Sequence, residues 1–174
     1  MKELDPLNND PQPQITRMGD GFQLHQAQRF DQPIDQMFDF FADPHNLEKI
    51  TPPQLGFSIE SCEDNPVEIG TRIHYTLSLH GMPINWTTRI KDFEKNEYFV
   101  DEMVEGPYKV WEHIHTFERV QDDTVVGDQV YYEMPYGVLG TLAHKLMVKR
   151  DLLTIFSYRA KTLRAEFGSE KEVS

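Results

Sequence analysis

Between Gly56 and Met134 apolar and polar residues alternate over short runs. Ile73-Tyr75-Leu77-Leu79, Trp86-Thr88-Ile90 and Val126-Asp128-Val130-Tyr132 each occupy every second position, the spacing that turns one side of an extended strand toward a core. Gly81-Met82-Pro83, Asn96-Glu97, Gly106-Pro107 and Asp122-Asp123 mark turns between such runs. Connections this short join antiparallel neighbours and cannot cross over to build a parallel sheet. A weaker alternation from Phe22 to Phe30 adds a first strand, so the pattern predicts seven. Ile34, Met37, Phe38 and Phe41 recur at helical spacing after Pro33, and Asp43-Pro44 opens a second short helix that Thr51-Pro52-Pro53 stops. Beyond Pro135-Tyr136-Gly137 the period is helical again: Leu139, Leu142, Leu146, Leu153, Phe156, Ala160 and Leu163 share one face of a helix roughly 30 residues long, about 45 Å.

Strand, two short helices, six strands and a long helix make an α+β chain. Its apolar faces are buried together if a curved antiparallel sheet wraps around the long helix, and the space left between them is a cavity. The 174 residues suit one domain, expected over 21–167, with a flexible tail at 168–174 and a disordered one at 1–20, where Asn8-Asn9-Asp10-Pro11-Gln12-Pro13 offers nothing apolar to bury. Hydrophobic residues at 39% and aromatic ones at 11% supply a real core and exclude global disorder.

Charge narrows the partners. Seventeen basic against twenty-nine acidic residues give −12, which repels phosphate backbones, so nucleic acid is not expected. Val138 to Phe167 holds six basic and two acidic residues, a local +4 that leaves −16 elsewhere. That patch leaves room for transient contact with an anionic membrane, but stable insertion is not expected because no run nears the roughly 18 apolar residues of a span. A cytoplasmic location is expected, since Met1 to Asp20 carries no signal-peptide pattern. The single Cys62 excludes an internal disulfide and a cysteine zinc site. No G-x-S-x-G, G-x-x-x-x-G-K-[ST] or G-x-G-x-x-G occurs, which argues against a serine-hydrolase elbow, a P-loop and a dinucleotide fingerprint.

Candidate chemistry concentrates on residues 108–120. Trp111, His113, His115 and Phe117 share one strand face, and Glu112 and Glu118, costly to bury, share the other. A two-residue turn at Asp122-Asp123 would set Phe117 opposite Asp128, His115 opposite Val130 and His113 opposite Tyr132, with Asp128 diagonal to His115. The expected lining is thus Trp111, His113, His115 and Phe117, with Asp128, Val130 and Tyr132 beside them, Tyr75, Trp86 and Thr88 on neighbouring strands, and Leu142, Leu146 and Leu153 above. Whether Asp101 or Glu102 faces inward stays open, because Gly106-Pro107 permits either register. Two imidazoles two residues apart could serve zinc, but no third ligand is assured, so neither metal nor cofactor is expected. A His115–Asp128 pair could act as acid and base, since imidazole titrates near neutrality and a carboxylate fixes its tautomer.

Several segments carry a family resemblance: Asn46-Leu47-Glu48-Lys49-Ile50-Thr51-Pro52-Pro53, Thr88-Arg89-Ile90, Phe99-Val100-Asp101-Glu102, Gly106-Pro107-Tyr108 followed by Trp111-x-His113-x-His115-x-Phe117, and Pro135-Tyr136-Gly137-x-Leu139-Gly140. Together they resemble the SRPBCC helix-grip superfamily of START domains, birch-pollen-allergen-like proteins, polyketide cyclases and coenzyme-Q-binding proteins, and most of all its bacterial ligand-binding or cyclase/dehydrase-like branch. Gln54 departs from the aromatic residue the pattern has after the two prolines. The resemblance implies a fold that holds hydrophobic or amphipathic small molecules, as a carrier in some members and a catalyst in others. The main expectation is a non-catalytic binder of a small hydrophobic or aromatic ligand. A cyclase or dehydratase, and a regulatory module that binds protein without a ligand, are the alternatives.

Overall fold

The computed structural model describes residues 12–168. Eight antiparallel strands form one sheet: β1 (Gln14–Met18), β2 (Gly21–Phe30), β3 (Ser58–Cys62), β4 (Arg72–Leu79), β5 (Met82–Glu94), β6 (Tyr98–Glu105), β7 (Val110–Val120) and β8 (Asp123–Glu133). Their order is β1-β2-β8-β7-β6-β5-β4-β3. Strands β3 to β8 are therefore a meander, and the chain's early hairpin closes onto its last strand. Residues 14–18, expected within a disordered tail, form an eighth strand. They pair with β2 through a Gly19 turn at φ 56°, and backbone pairing rather than apolar burial orders them, since four of the five side chains are exposed. The expected C-terminal tail lies, apart from Gly168, outside the described residues.

Two short helices, α1 (Ile34–Ala42) and α2 (Asn46–Lys49), follow β2, and a single 3₁₀ turn spans Pro53–Leu55. The second helix begins later than the Asp43-Pro44 signal predicts, because the Asp43 carboxylate accepts the His45 N–H in a local turn before the helix starts. Helix α1 drives Phe38 into an aromatic cluster with Phe93, Phe99 and Phe117, at centroid distances of 5.3, 6.1 and 4.9 Å. That cluster closes one end of the sheet's inner face.

The C-terminal helical segment comprises α3 (Gly137–Ala143), a π turn at His144–Val148 and α4 (Lys149–Phe167). Leu152, Phe156, Ala160, Leu163 and Phe167 of α4 are buried, the first two against Leu24, Val130 and Tyr132 of the sheet and the last two with Phe30 and Val126. Gln28, buried on the inner face of β2, donates to the Ala160 carbonyl at 3.0 Å and so ties helix to sheet. The long helix predicted from sequence is present as one continuous helical run over 137–167, but its single apolar face is corrected here. A π turn carries one extra residue, which rotates the preceding turns about 100° away from the face that α4 presents. Leu139, Leu142 and Leu146 are consequently exposed at 74%, 53% and 66%.

Candidate functional site

Between α4, the α1–α2 segment and the inner faces of β4 to β7 lies a cavity with about 190 Å³ of space open to the centre of a water molecule. The β4–β5 hairpin supplies Leu77, Leu79 and Ile84 to one side, and the C-terminal helical segment supplies Val148, Leu152, Ile155 and Phe156 to the other. Near the hairpin tip, His80 Nε2 lies 2.7 Å from Asp151 Oδ2, joining the hairpin to α4 beside the cavity. Strand alternation sets the walls. Tyr75 stacks on Trp86 at 5.9 Å, Trp86 meets Trp111 edge-on at 5.2 Å, and Tyr108 lies 4.8 Å from Trp111. Within this aromatic wall the Trp86 indole N–H donates to Thr88 at 3.0 Å, and the Tyr75 hydroxyl lies 3.3 Å from the same oxygen. Burial holds the Tyr75 phenol well above its ordinary range, so it stays protonated.

At one end of the cavity a polar cluster is sunk into the sheet. Two carboxylates sandwich two imidazoles whose centroids are 3.8 Å apart. On the cavity side, Asp101 Oδ2 accepts from His115 Nε2 at 2.9 Å and lies 3.6 Å from His113 Nδ1. On the far side, Asp128 Oδ1 accepts from His113 Nε2 at 2.7 Å and from Arg159 Nη1 at 3.1 Å, with His115 Nδ1 at 3.3 Å. Phe99 stacks on His115 at 4.3 Å, and the Arg159 guanidinium lies over Phe156 at 4.8 Å. Both imidazoles, Asp128 and Arg159 are buried.

Charge is distributed by these contacts. Burial alone would raise both carboxylates. For Asp128, Arg159 and the imidazoles outweigh burial and hold it well below the ordinary carboxylate value; for Asp101, the two imidazoles do so. Burial and the neighbouring His115 lower His113, whereas for His115 the hydrogen bond to Asp101 and the closeness of both carboxylates outweigh burial and raise it. These opposite directions favour a proton on His115 over one on His113. His115 Nδ1 and Arg159 Nε are buried atoms with no hydrogen-bond partner among the described residues.

Of the residues expected to line the cavity, Tyr75, Trp86, Thr88, Trp111, His113 and His115 do so. Phe117, Val130 and Tyr132 point inward but are enclosed in the two core clusters. The predicted β7–β8 register is displaced by two residues: Phe117 faces Val126, His115 faces Asp128, and His113 faces Val130. Because Gln121 adopts φ 61°, the turn is Gln121-Asp122 and not Asp122-Asp123. A shift of two preserves which side chains share a face and changes only their partners. Asp128 is therefore directly across from His115, yet it lies behind the imidazoles and forms no part of the cavity wall. Asp101 is the inward acid, while Glu102 pairs outside with Arg89. Leu142 and Leu146 are corrected to exposed positions by the π turn. Leu153 lines a shallow outer cleft with Lys145, Lys149 and Lys161. Sequence reasoning missed Arg159 as a site residue, although an arginine in the 3–4 spacing of Leu152, Phe156 and Leu163 was a visible signal.

A family model described as "Polyketide cyclase / dehydrase and lipid transport" matches residues 30–154. The match covers every cluster residue except Arg159. No curated protein matches the sequence. Among solved structures, protein Ms6760 from Mycobacterium smegmatis is similar at TM-score 0.64 and 16% identity, covering 88% of this chain and 95% of its own. Major latex-like protein 151 from Panax ginseng aligns at TM-score 0.63 and 16% identity over 86% and 99% of the two chains. A protein from Arthrobacter aurescens aligns at TM-score 0.65 and 12% identity over 92% and 97%.

Proposed function

The chain belongs to the polyketide cyclase/dehydrase and lipid transport family, and from that premise we propose that it binds a small amphipathic, aromatic-bearing molecule in the cavity without transforming it. The observation that carries this reading is the cavity's polarity gradient. Trp86, Trp111, Tyr108 and Leu152 offer apolar surface, while Asp101, His113, His115 and Arg159 gather at the floor. Apolar burial, at about 25 cal/mol per Å², contributes most of the affinity but little orientation. A hydrogen bond to a dry polar cluster is directional, because an unpaired partner costs about 1–3 kcal/mol. A ligand with a greasy body and one oxygenated end fits both parts.

The His115–Asp101 pair favours a second reading, a cyclase or dehydratase. A protonated imidazole on a cavity-facing carboxylate could donate to a ligand carbonyl while the carboxylate takes a proton. Here Asp101 replaces Asp128 in the role the sequence suggested. A ligand-free regulatory module loses its premise, which was the lack of a cavity. Among the described residues no helix is long and apolar enough to cross a membrane, and the proposed ligand is reached from water or by passing contact with a lipid surface.

Both tryptophans of the chain line the cavity, so intrinsic fluorescence reports occupancy. Chelator-treated protein titrated with 1-naphthol and with naphthalene should show saturable quenching by both and tighter binding of the naphthol. Native mass spectrometry of the freshly purified protein should show a retained organic mass. Absence of saturable quenching by either probe, with no retained mass, would overturn the binding reading.

A further inference from the structure

The two carboxylates of the polar cluster are compensated unequally. Among the described residues Asp128 pairs with Arg159 as well as with the imidazoles, whereas Asp101 pairs with the imidazoles alone. A carboxylate sunk this deep is costly without a positive partner, so the Asp101 side takes either a proton on His115 or a metal cation. Arg159 occupies the Asp128 side. The corresponding place on the Asp101 side opens to the cavity, since Asp101, His113 and His115 line it and Asp128 does not.

We infer that Asp101, His113 and His115 form a binding site for a borderline divalent cation of the zinc type, a site the sequence left without a third ligand. One ligand atom from each of the three residues already lies within 4.8 Å of the others. His113 donates Nε2–H to Asp128, so its Nδ1 presents a lone pair, 3.6 Å from Asp101 Oδ2 and with no proton between them. Two atoms bound to one tetrahedral zinc stand about 3.4 Å apart. The 2.9 and 3.6 Å separations around Asp101 Oδ2 bracket that span, so an ion replacing the His115 Nε2 proton requires only small side-chain adjustment. Two imidazoles and one carboxylate suit zinc and neighbouring transition metals, and are too poor in oxygen for calcium or magnesium. The outer shell is also in place: Asp128, fixed by Arg159, orients the His113 ring through its other nitrogen, the carboxylate–histidine–metal arrangement that tunes such sites. Three protein ligands leave the metal's remaining positions toward the cavity, where they would take a carboxylate or phenolate oxygen, a consequence that rests on the ligand-binding reading above.

Zinc alone is the probe. Untagged, chelator-treated protein should bind one equivalent of Zn²⁺ in calorimetric titration with no organic ligand present. Asp101→Asn and His113→Gln should each weaken binding at least tenfold, Asp128→Asn should weaken it about 10–100-fold, and His80→Gln, outside the cluster, should leave it unchanged. A readout on wild-type protein guards against variants that do not fold. In long-range ¹H–¹⁵N spectra Zn²⁺ should move the ring nitrogens of His113 and His115 and leave the other five histidines in place. No binding, equal affinity in wild type and Asp101→Asn, or movement of other imidazoles only, would overturn the site and leave the Asp101 side to a proton. Because naphthol binding is measured in chelator, that outcome leaves the ligand reading standing.

Discussion

Arg159 offers the sharpest test of the site's energetics. In Arg159→Met an apolar chain of similar length keeps most of the packing beside Phe156 but removes the cation 3.1 Å from Asp128 Oδ1. Asp128 is only 5% exposed, so water cannot replace the lost partner. Breaking a buried pair on one side typically costs about 3–5 kcal/mol, which for a chain of this size lowers Tm by roughly 6–20 °C. Relief is available from His113, which the variant allows to take up a proton. The deficit should therefore be largest near pH 8 and shrink toward pH 5. Urea unfolding of chelated protein at both pH values gives the midpoint and slope needed to separate lost stability from an altered denatured state. Asp128→Asn should also destabilise, by stranding Arg159, and the double variant should lose less than the two single losses together. A coupling within the additive error of about 0.5 kcal/mol, or a loss under about 1 kcal/mol in Arg159→Met at pH 8, would refute the buried ion pair.

Ligand orientation predicts that Trp111→Ala weakens naphthalene and naphthol alike, whereas His115→Phe selectively weakens the naphthol; equal losses in fluorescence titrations would make His115 filler. In chelated wild-type protein, the raised folded-state value of His115 contributes stability that is complete below about pH 6.5 and is lost as pH rises through that value. The depressed Asp128 contributes stability present above about pH 3.9 and lost as pH falls through its folded value. Urea midpoints should therefore decline on both sides, and His115→Phe should remove the alkaline decline; its persistence would place that proton elsewhere. The rotation at the π turn predicts that Leu142→Lys changes stability by no more than about 0.5 kcal/mol, while Leu152→Ala costs about 2–5 kcal/mol. The reverse order in thermal melts would restore the single apolar face.

Much of the fold was legible along the chain because strand and helix periods are local properties. Val126-Asp128-Val130-Tyr132 alternates in sequence and is buried along the same alternation in β8. His113 and His115 could be placed on the inner face because Glu112 and Glu118 beside them could not afford burial. Face assignment survived even where the register did not, since a two-residue slip keeps parity. Only the tertiary structure decided who meets whom. One left-handed residue, Gln121, moved the hairpin and set Asp128 across from His115. One extra residue in a helical turn swung Leu142 and Leu146 out to solvent. β1 exists because β2 offers it an edge, a partner that residues 14–18 cannot announce by themselves. The choice of Asp101 over Glu102, and the joining of both imidazoles to an arginine 44 residues further along the chain than His115, are sums of such geometric details. Periodicity determines which side of an element faces the core; the distances between side chains from different elements depend on register and rotation, which no local pattern encodes.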